Sequence, residues 1–225
     1  MKVITTFLTE KYPDHPTTKV YQNITEFEIW NYWASVEQLL LKWIDNRYIT
    51  LLLRIDDQLI FKRKIKDKFI KLSNDNYIDI INGRLNAVYV TIPTETNYAI
   101  IDIDPSPNTS RKDTILTMNL CKKLINDKLS HNIESLNSSA NGIHMNIYLD
   151  KKYNVNELKQ LIKTTLISLE SDKITVDKPG RNKRSGMINL DLSSMKENGI
   201  HISRYSLTKN FYICDVVEKP LRKLV

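Results

Sequence analysis

The chain has 225 residues, 41% of them apolar and 26% charged, with five Gly and seven Pro, which allows one large domain or two small ones and argues against a disordered or linker-rich chain. A net charge of +7 and a pI of about 9.2 suit a polyanionic partner such as nucleic acid or a nucleotide. The two cysteines, Cys121 and Cys214, have no Cys-x-x-Cys spacing; this argues against a disulfide framework or a cysteine zinc site and fits a reducing cytoplasm.

The first ten residues hold one Lys and an apolar stretch too short for a signal sequence. No apolar run approaches the roughly 20 residues that span a bilayer, so no membrane association is expected. The first helix is expected from Asn23, with Glu26 completing a capping-box pair, and its inward stripe reads Ile29, Trp33, Val36, Leu40 and Trp43. Trp30 and Trp33 read as core anchors in preference to base-stacking platforms. Two strand-like runs, 48–54 and 59–64, suggest a hairpin around Asp56-Asp57-Gln58. Runs 86–92 and 98–104 follow. A second helix is expected over 112–128, with Ile115, Met118, Cys121, Leu124 and Ile125 inward. After a strand over 143–149, a third helix starts at Asn154 with Glu157 three later, and its stripe reads Leu158, Leu161, Ile162, Thr165, Leu166 and Leu169. Strands over 187–192 and 200–205 end the sequence of elements. Helices and strands mix without strict alternation, which predicts an α+β fold with a largely antiparallel sheet.

Three of these strands share one design. Successive side chains of a strand face opposite sides. In Ile101-Asp102-Ile103-Asp104 the two Ile face one way and the two Asp the other. In Ile143-His144-Met145-Asn146-Ile147, His144 and Asn146 share a face; in Ile188-Asn189-Leu190-Asp191-Leu192, Asn189 and Asp191 do. If the strands are neighbours, one sheet face packs on helices and the other gathers three carboxylates and a histidine. Crowded carboxylates stay ionised only when cations bind them. Their oxygen ligands favour Mg²⁺ or Mn²⁺, and two such ions roughly 3.5–4 Å apart suit in-line phosphoryl displacement.

The motifs resemble those of the archaeo-eukaryotic primase superfamily, nearest to the polymerase domain of bacterial ligase D and its archaeal end-joining relatives. Asp102-Ile103-Asp104-Pro105 resembles motif I, and Ser138-Ser139-Ala140-Asn141-Gly142-Ile143-His144 resembles motif II. Lys183-Arg184-Ser185-Gly186 leading to Asp191 resembles motif III. Arg204-Tyr205-Ser206-Leu207 is similar to a downstream Pro-Tyr-Ser-Leu/Val segment, and the stretch from Asn46 to Lys64 to an upstream Gly-Arg-Pro strand and hairpin. Ala140 and Thr208 depart from the pattern, which more often has Gly or a polar residue and Arg there. The resemblance spans residues 40–210, with the motifs in order. It implies a single catalytic region over 1–225: an N-terminal α/β module over about 1–85, and over 86–215 an RNA-recognition-motif-like antiparallel sheet carrying the acidic cluster.

The resemblance further implies a nucleotidyltransferase that extends a template-directed strand of DNA or RNA from NTP or dNTP, in end joining and gap filling or in de novo priming. Asp102, Asp104 and Asp191 would hold two Mg²⁺ or Mn²⁺ ions. Ser138, His144, Ser206 and Lys183 or Arg184 would contact the incoming nucleotide, whose triphosphate carries about four negative charges to be offset. Arg47, Arg54, Lys62 and Arg63 are candidate template contacts; the basic segment 62–68 is equally readable as a solvated face. A separate ligase or large primase subunit is the expected protein partner. Two rivals explain less. A glycosyltransferase would leave the third Asp unexplained. A non-catalytic nucleic-acid module would expose aromatics on its central strands, where these expose Asp and His.

Overall fold

The computed structural model describes residues 20–21, 24–44, 49–55, 58–62, 85–129, 132–138, 141–178, 186–208, 213–217 and 222. In chain order these form β1 (Val20–Tyr21), β2 (Ile24–Thr25), α1 (Glu26–Ile44), β3 (Ile49–Ile55), β4 (Gln58–Lys62), β5 (Leu85–Thr91), β6 (Glu95–Pro105), α2 (Arg111–Lys128), β7 (Asn132–Asn137), β8 (Ile143–Asn154), α3 (Val155–Leu166) with a 3-10 turn at Ile167–Leu169, β9 (Ile174–Val176), β10 (Ile188–Asp191) and β11 (Ile200–Ile202). The chain divides into two units. One holds Met1–Val90, Ile202–Ile213 and Arg222–Val225; the other holds Thr91–His201 and Cys214–Leu221.

In the first unit α1 begins two residues later than the sequence suggested. Ile24 and Thr25 pair with Tyr21 and Val20 in an extended ribbon, so the chain cannot turn helical before Glu26. A capping box is formed by Thr25 with Glu28; Asn23 and the side chain of Glu26 lie outside the described residues. The Glu28 N–H donates to Thr25 Oγ1 at 3.1 Å, and the Thr25 N–H donates to Glu28 Oε2 at 2.7 Å. The α1 stripe is as expected: Ile29, Trp33 and Leu40 are buried, and Val36 and Trp43 pack at its margin. Trp33 is 1% exposed, which makes it a core anchor. The side chain of Trp30 lies outside the described residues. Strands β3 and β4 pair antiparallel with Ile55 opposite Gln58, the expected hairpin, in a sheet of order β11-β5-β3-β4. Ile49, Leu51, Val88 and Val90 supply its share of the core.

The second unit follows a β-α-β-β-α-β path through β6, α2, β7, β8, α3 and β10. Its sheet has the order β7-β8-β6-β10-β9, antiparallel except for the β9–β10 pair. This is the RNA-recognition-motif arrangement, with the two longest strands, β6 and β8, side by side. Both helices share one core with the apolar set of the strands. Met118, Cys121 and Ile125 of α2, and Val155, Leu158, Ile162 and Leu166 of α3, join Ile101, Ile103, Ile143, Met145 and Leu190. Each such aliphatic side chain contributes about 1.5–3 kcal/mol on full burial, so this layer fixes the register of the strands beneath it.

Leu161, read as inward, is instead 37% exposed. At 100° per residue it sits about 90° from the centre of the stripe that Leu158, Ile162, Thr165 and Leu166 bury. Strands β7 and β9 were not legible. In β7 one face reads Asn132, Glu134, Leu136 and the other Ile133, Ser135, Asn137, so apolar alternation is broken; β9 has three residues. The edge of β7 is covered by the chain near Val216. The Asn137 N–H donates to Asp215 O at 2.8 Å, and the Val217 N–H to Ser135 O at 2.9 Å. No helix among the described residues is long and apolar enough to cross a membrane.

Candidate active site

Strand β6 lies between β8 and β10, and this placement assembles the acidic cluster. Asp102 stands directly opposite His144 on one side and Asp191 on the other, and Asp104 stands opposite Asn189. Side-chain period two then puts all five on the sheet face away from α2 and α3. The end of β6 is stapled to the start of β10. The Ser106 N–H donates to Met187 O at 2.8 Å, the Met187 N–H donates to Ser106 Oγ at 2.9 Å, and the Ser106 and Thr109 hydroxyls meet at 3.1 Å. Gly186, just before this staple, has φ of 79°, in the left-handed region that a Cβ disfavours. That is a local reason for Gly in the Lys-Arg-Ser-Gly lead.

His144 Nε2 lies 3.1 Å from Asp102 Oδ2, with the His144 side chain 13% exposed and that of Asp102 29%. Burial disfavours the imidazolium, yet the charge and hydrogen bond of Asp102, with help from Asp104, outweigh it and raise the His144 pKa. Asp104 is pushed up to about 7, first by burial, then by the charges of Asp102 and Asp191, with His144 pulling the other way. Asp191 Oδ1 accepts the Ser193 N–H at 2.6 Å. Asp102 Oδ1 is sealed from solvent and has no hydrogen-bond partner among the described residues. An orphaned carboxylate oxygen beside two further carboxylates, one of them raised first by burial and then by its neighbours, is a donor set that suits a hard divalent cation. The side chains do not form a closed cage: among the described residues no three His, Cys, Asp or Glu groups converge as a ready-made ligand set.

The other sequence candidates fall in different places. Ser138 is half-buried at the end of β7, and its N–H donates to Gly142 O at 3.1 Å, closing the turn that leads to His144. Ser206 belongs to the first unit and is fully buried. Its hydroxyl bridges Val88 N and Val88 O, both at 2.9 Å, and meets the Ser203 hydroxyl at 2.9 Å, so its hydrogen-bonding capacity is spent on holding the chain to β5. Arg47, Arg63, Lys183 and Arg184 lie outside the described residues, as do the side chains of Arg54 and Lys62.

The sequence reading missed Arg111. It opens α2, where the helix dipole opposes a cation. Its guanidinium donates to Asn141 O at 3.0 Å, to Gly142 O at 3.4 Å and to Asn137 Oδ1. The signal was available: Arg111 and Lys112 are two cations in the first turn, where only Asp113 suits the dipole. Further along the same sheet face, Glu134 Oε2 accepts from the Tyr148 hydroxyl at 3.3 Å and from Asn146 Nδ2 at 3.5 Å. Tyr98 stacks on His201 with ring centroids 4.9 Å apart.

No protein-family model and no curated protein matches the chain. Among solved structures it is similar to the polymerase domain of Mycobacterium tuberculosis ligase D in complex with DNA, with a TM-score of 0.71 and 16% identity over 86% of this chain and 80% of that one. A second match is the primase-polymerase domain of cyanophage S-2L, with a TM-score of 0.47 and 10% identity over 83% of this chain and 88% of that one. The chain therefore has the fold of the ligase D polymerase domain, which is the α+β primase architecture its motifs implied.

Proposed function

We propose that the protein is a metal-dependent nucleotidyltransferase of the primase-polymerase type, adding nucleotides to a template-directed strand. The observation that carries this reading is the row His144–Asp102–Asp191, in register across three strands with Asp104 beside it. A fold alone does not assign a reaction; this cluster is chemistry the fold does not require for stability. Burying a carboxyl beside like charges costs stability, and Asp104, pushed up to about 7 by burial first and by Asp102 and Asp191 next, carries that cost.

In this reading Asp102, Asp104 and Asp191 hold two Mg²⁺ or Mn²⁺ ions. The ions supply charge neutralisation at the phosphate under attack and at the departing pyrophosphate. Asp102 also orients His144. With Asp102 on Nε2, the imidazole keeps its proton to higher pH and presents Nδ1, which is buried with no partner among the described residues, as a donor for a phosphate oxygen. Ser138 lies across the short turn from that histidine and offers a second contact. Lys183 or Arg184, just ahead of Gly186, supplies fixed positive charge.

The template-primer is DNA or RNA. The DNA named with the ligase D domain and the net charge of +7 both favour a nucleic acid partner. Gap filling at broken ends is the role we favour, on the motif likeness to the ligase D branch, with a separate ligase as partner. The two described thiols, both free and buried, suit a reducing cytoplasm.

The test is nucleotide addition with Mn²⁺ and dNTPs or NTPs on a primed template, on a gapped duplex with a 5′-phosphate and on an unprimed single strand. The Asp102→Ala/Asp104→Ala variant is the control. Extension by the wild type only supports the reading. Preference for the gap supports repair, and products on the unprimed strand replace it with priming. Equal activity of the double variant would remove the acidic cluster from catalysis.

A further inference from the structure

We infer that Arg111 is a positioning residue, a latch that holds the turn between β7 and β8 in the shape that presents Ser138 and His144 to the nucleotide. The inference rests on the reading of that turn as the nucleotide contact. It adds a residue that none of the primase-like motifs contains.

Three observations carry it. Arg111 is the first residue of α2, and a cation there faces the positive end of the helix dipole. Helix formation itself gives no reason for that placement. Ser110 already caps the helix, accepting the Asp113 N–H at 3.1 Å, and Asp113 accepts the Ser110 hydroxyl at 2.6 Å, so Arg111 is not needed as a cap. What it does instead is reach across to the far end of the neighbouring hairpin. One terminal nitrogen donates to Asn141 O and Gly142 O and the other to Asn137 Oδ1. The planar fork therefore binds both legs of the turn at once from two separate nitrogens, a geometry that the single nitrogen of a Lys reproduces only in part.

The grip is anchored on both sides. Asn137 is 2% exposed, its N–H donates to Asp215 O at 2.8 Å, and its Nδ2 donates to Val216 O at 3.4 Å. Arg111 is itself half-buried, and loss of solvent lowers its pKa. Ser138 lies between the two legs, and His144 follows the second leg, two residues past Gly142, with its ring fixed by Asp102. Because α2 follows directly from the loop after Asp104, the latch ties the turn to the same segment that carries the acidic pair. Release of Arg111 frees the turn while leaving Asp102, Asp104 and Asp191 in place.

The experiment pairs hydrogen exchange on the metal-free protein with steady-state kinetics. Variants are Arg111→Ala and Arg111→Lys. The expected result is faster amide exchange over 137–144 in Arg111→Ala, with exchange over β6 and β10 unchanged. The KM for nucleotide is expected to rise about tenfold, the worth of one charge-assisted hydrogen bond, with DNA affinity unchanged. Arg111→Lys recovers part of both effects. If Arg111→Ala melts before assay temperature, Arg111→Lys carries the test, with local exchange raised and melting unchanged. Unchanged exchange over 137–144 in a folded variant overturns the latch, and so does an equal loss of nucleotide and DNA binding. An inactive wild type whose turn still loosens in Arg111→Ala sinks the polymerase reading and leaves the latch standing.

Discussion

Replacing Asp104 by Asn tests whether the cluster is built for cations at the expense of stability. In the metal-free fold Asp104 is raised from 3.8 to about 7, by burial first and by Asp102 and Asp191 next. A carboxyl whose folded pKa lies above its unfolded value is stabilising to the fold only while protonated. Stability is therefore lost as pH climbs from about 4 to about 7, and the penalty is complete above that. Taken at face value the shift corresponds to about 4 kcal/mol. Asp104 is partly exposed and the three carboxylates share the effect, so screening reduces the figure to about 1–2 kcal/mol.

Asp104→Asn keeps the shape and removes the charge. In chelator at pH 8 it is expected to melt about 2–8 °C above wild type, given about 2–4 °C per kcal/mol at this size. At pH 4 the advantage disappears. Adding Mn²⁺ reverses the order, because binding to the folded state stabilises by an amount that grows with the logarithm of affinity and the variant has lost a ligand. The assay is a thermal melt at the two pH values, with and without metal. Equal stability of the two proteins at pH 8 in chelator, or a gain of the same size at pH 4, would refute the electrostatic argument.

Two further outcomes follow from burial. Ser206→Ala removes three hydrogen bonds that tie the chain to Val88 and Ser203, and is expected to cost about 1–3 kcal/mol in a urea titration; if the melt is unchanged and nucleotide affinity falls, Ser206 is a nucleotide contact after all. Burial pushes the Cys121 thiol up to about 12 and raises that of Cys214 as well, so neither is expected to react with a thiol reagent at pH 8 until the protein unfolds; rapid labelling of the folded protein would contradict the packing of α2 and of the β7 edge.

The sequence by itself determined the strand faces. Alternation in 101–104, 143–147 and 188–192 is a local property, because each residue's side of the sheet follows from the residue before it. It therefore specified Asp102, Asp104, His144 and Asp191 as candidates on one face. The apolar stripes of α1 and α3 were legible for the same reason, a fixed period set by backbone geometry. Tertiary structure alone decided which strands are neighbours. The row His144–Asp102–Asp191 exists because β6 lies between β8 and β10, and no period within one strand encodes its partner. Context also placed the start of α1, where pairing of β2 with β1 keeps Ile24 and Thr25 extended, and it exposed Leu161 at the margin of a short helix. Ser206 looked like a site residue from its motif, and its burial against Val88 became visible only in three dimensions. Arg111 lay hidden for the converse reason. Its three acceptors are Asn141 O, Gly142 O and Asn137 Oδ1, two of them backbone carbonyls, and a carbonyl carries no residue type for a sequence to display.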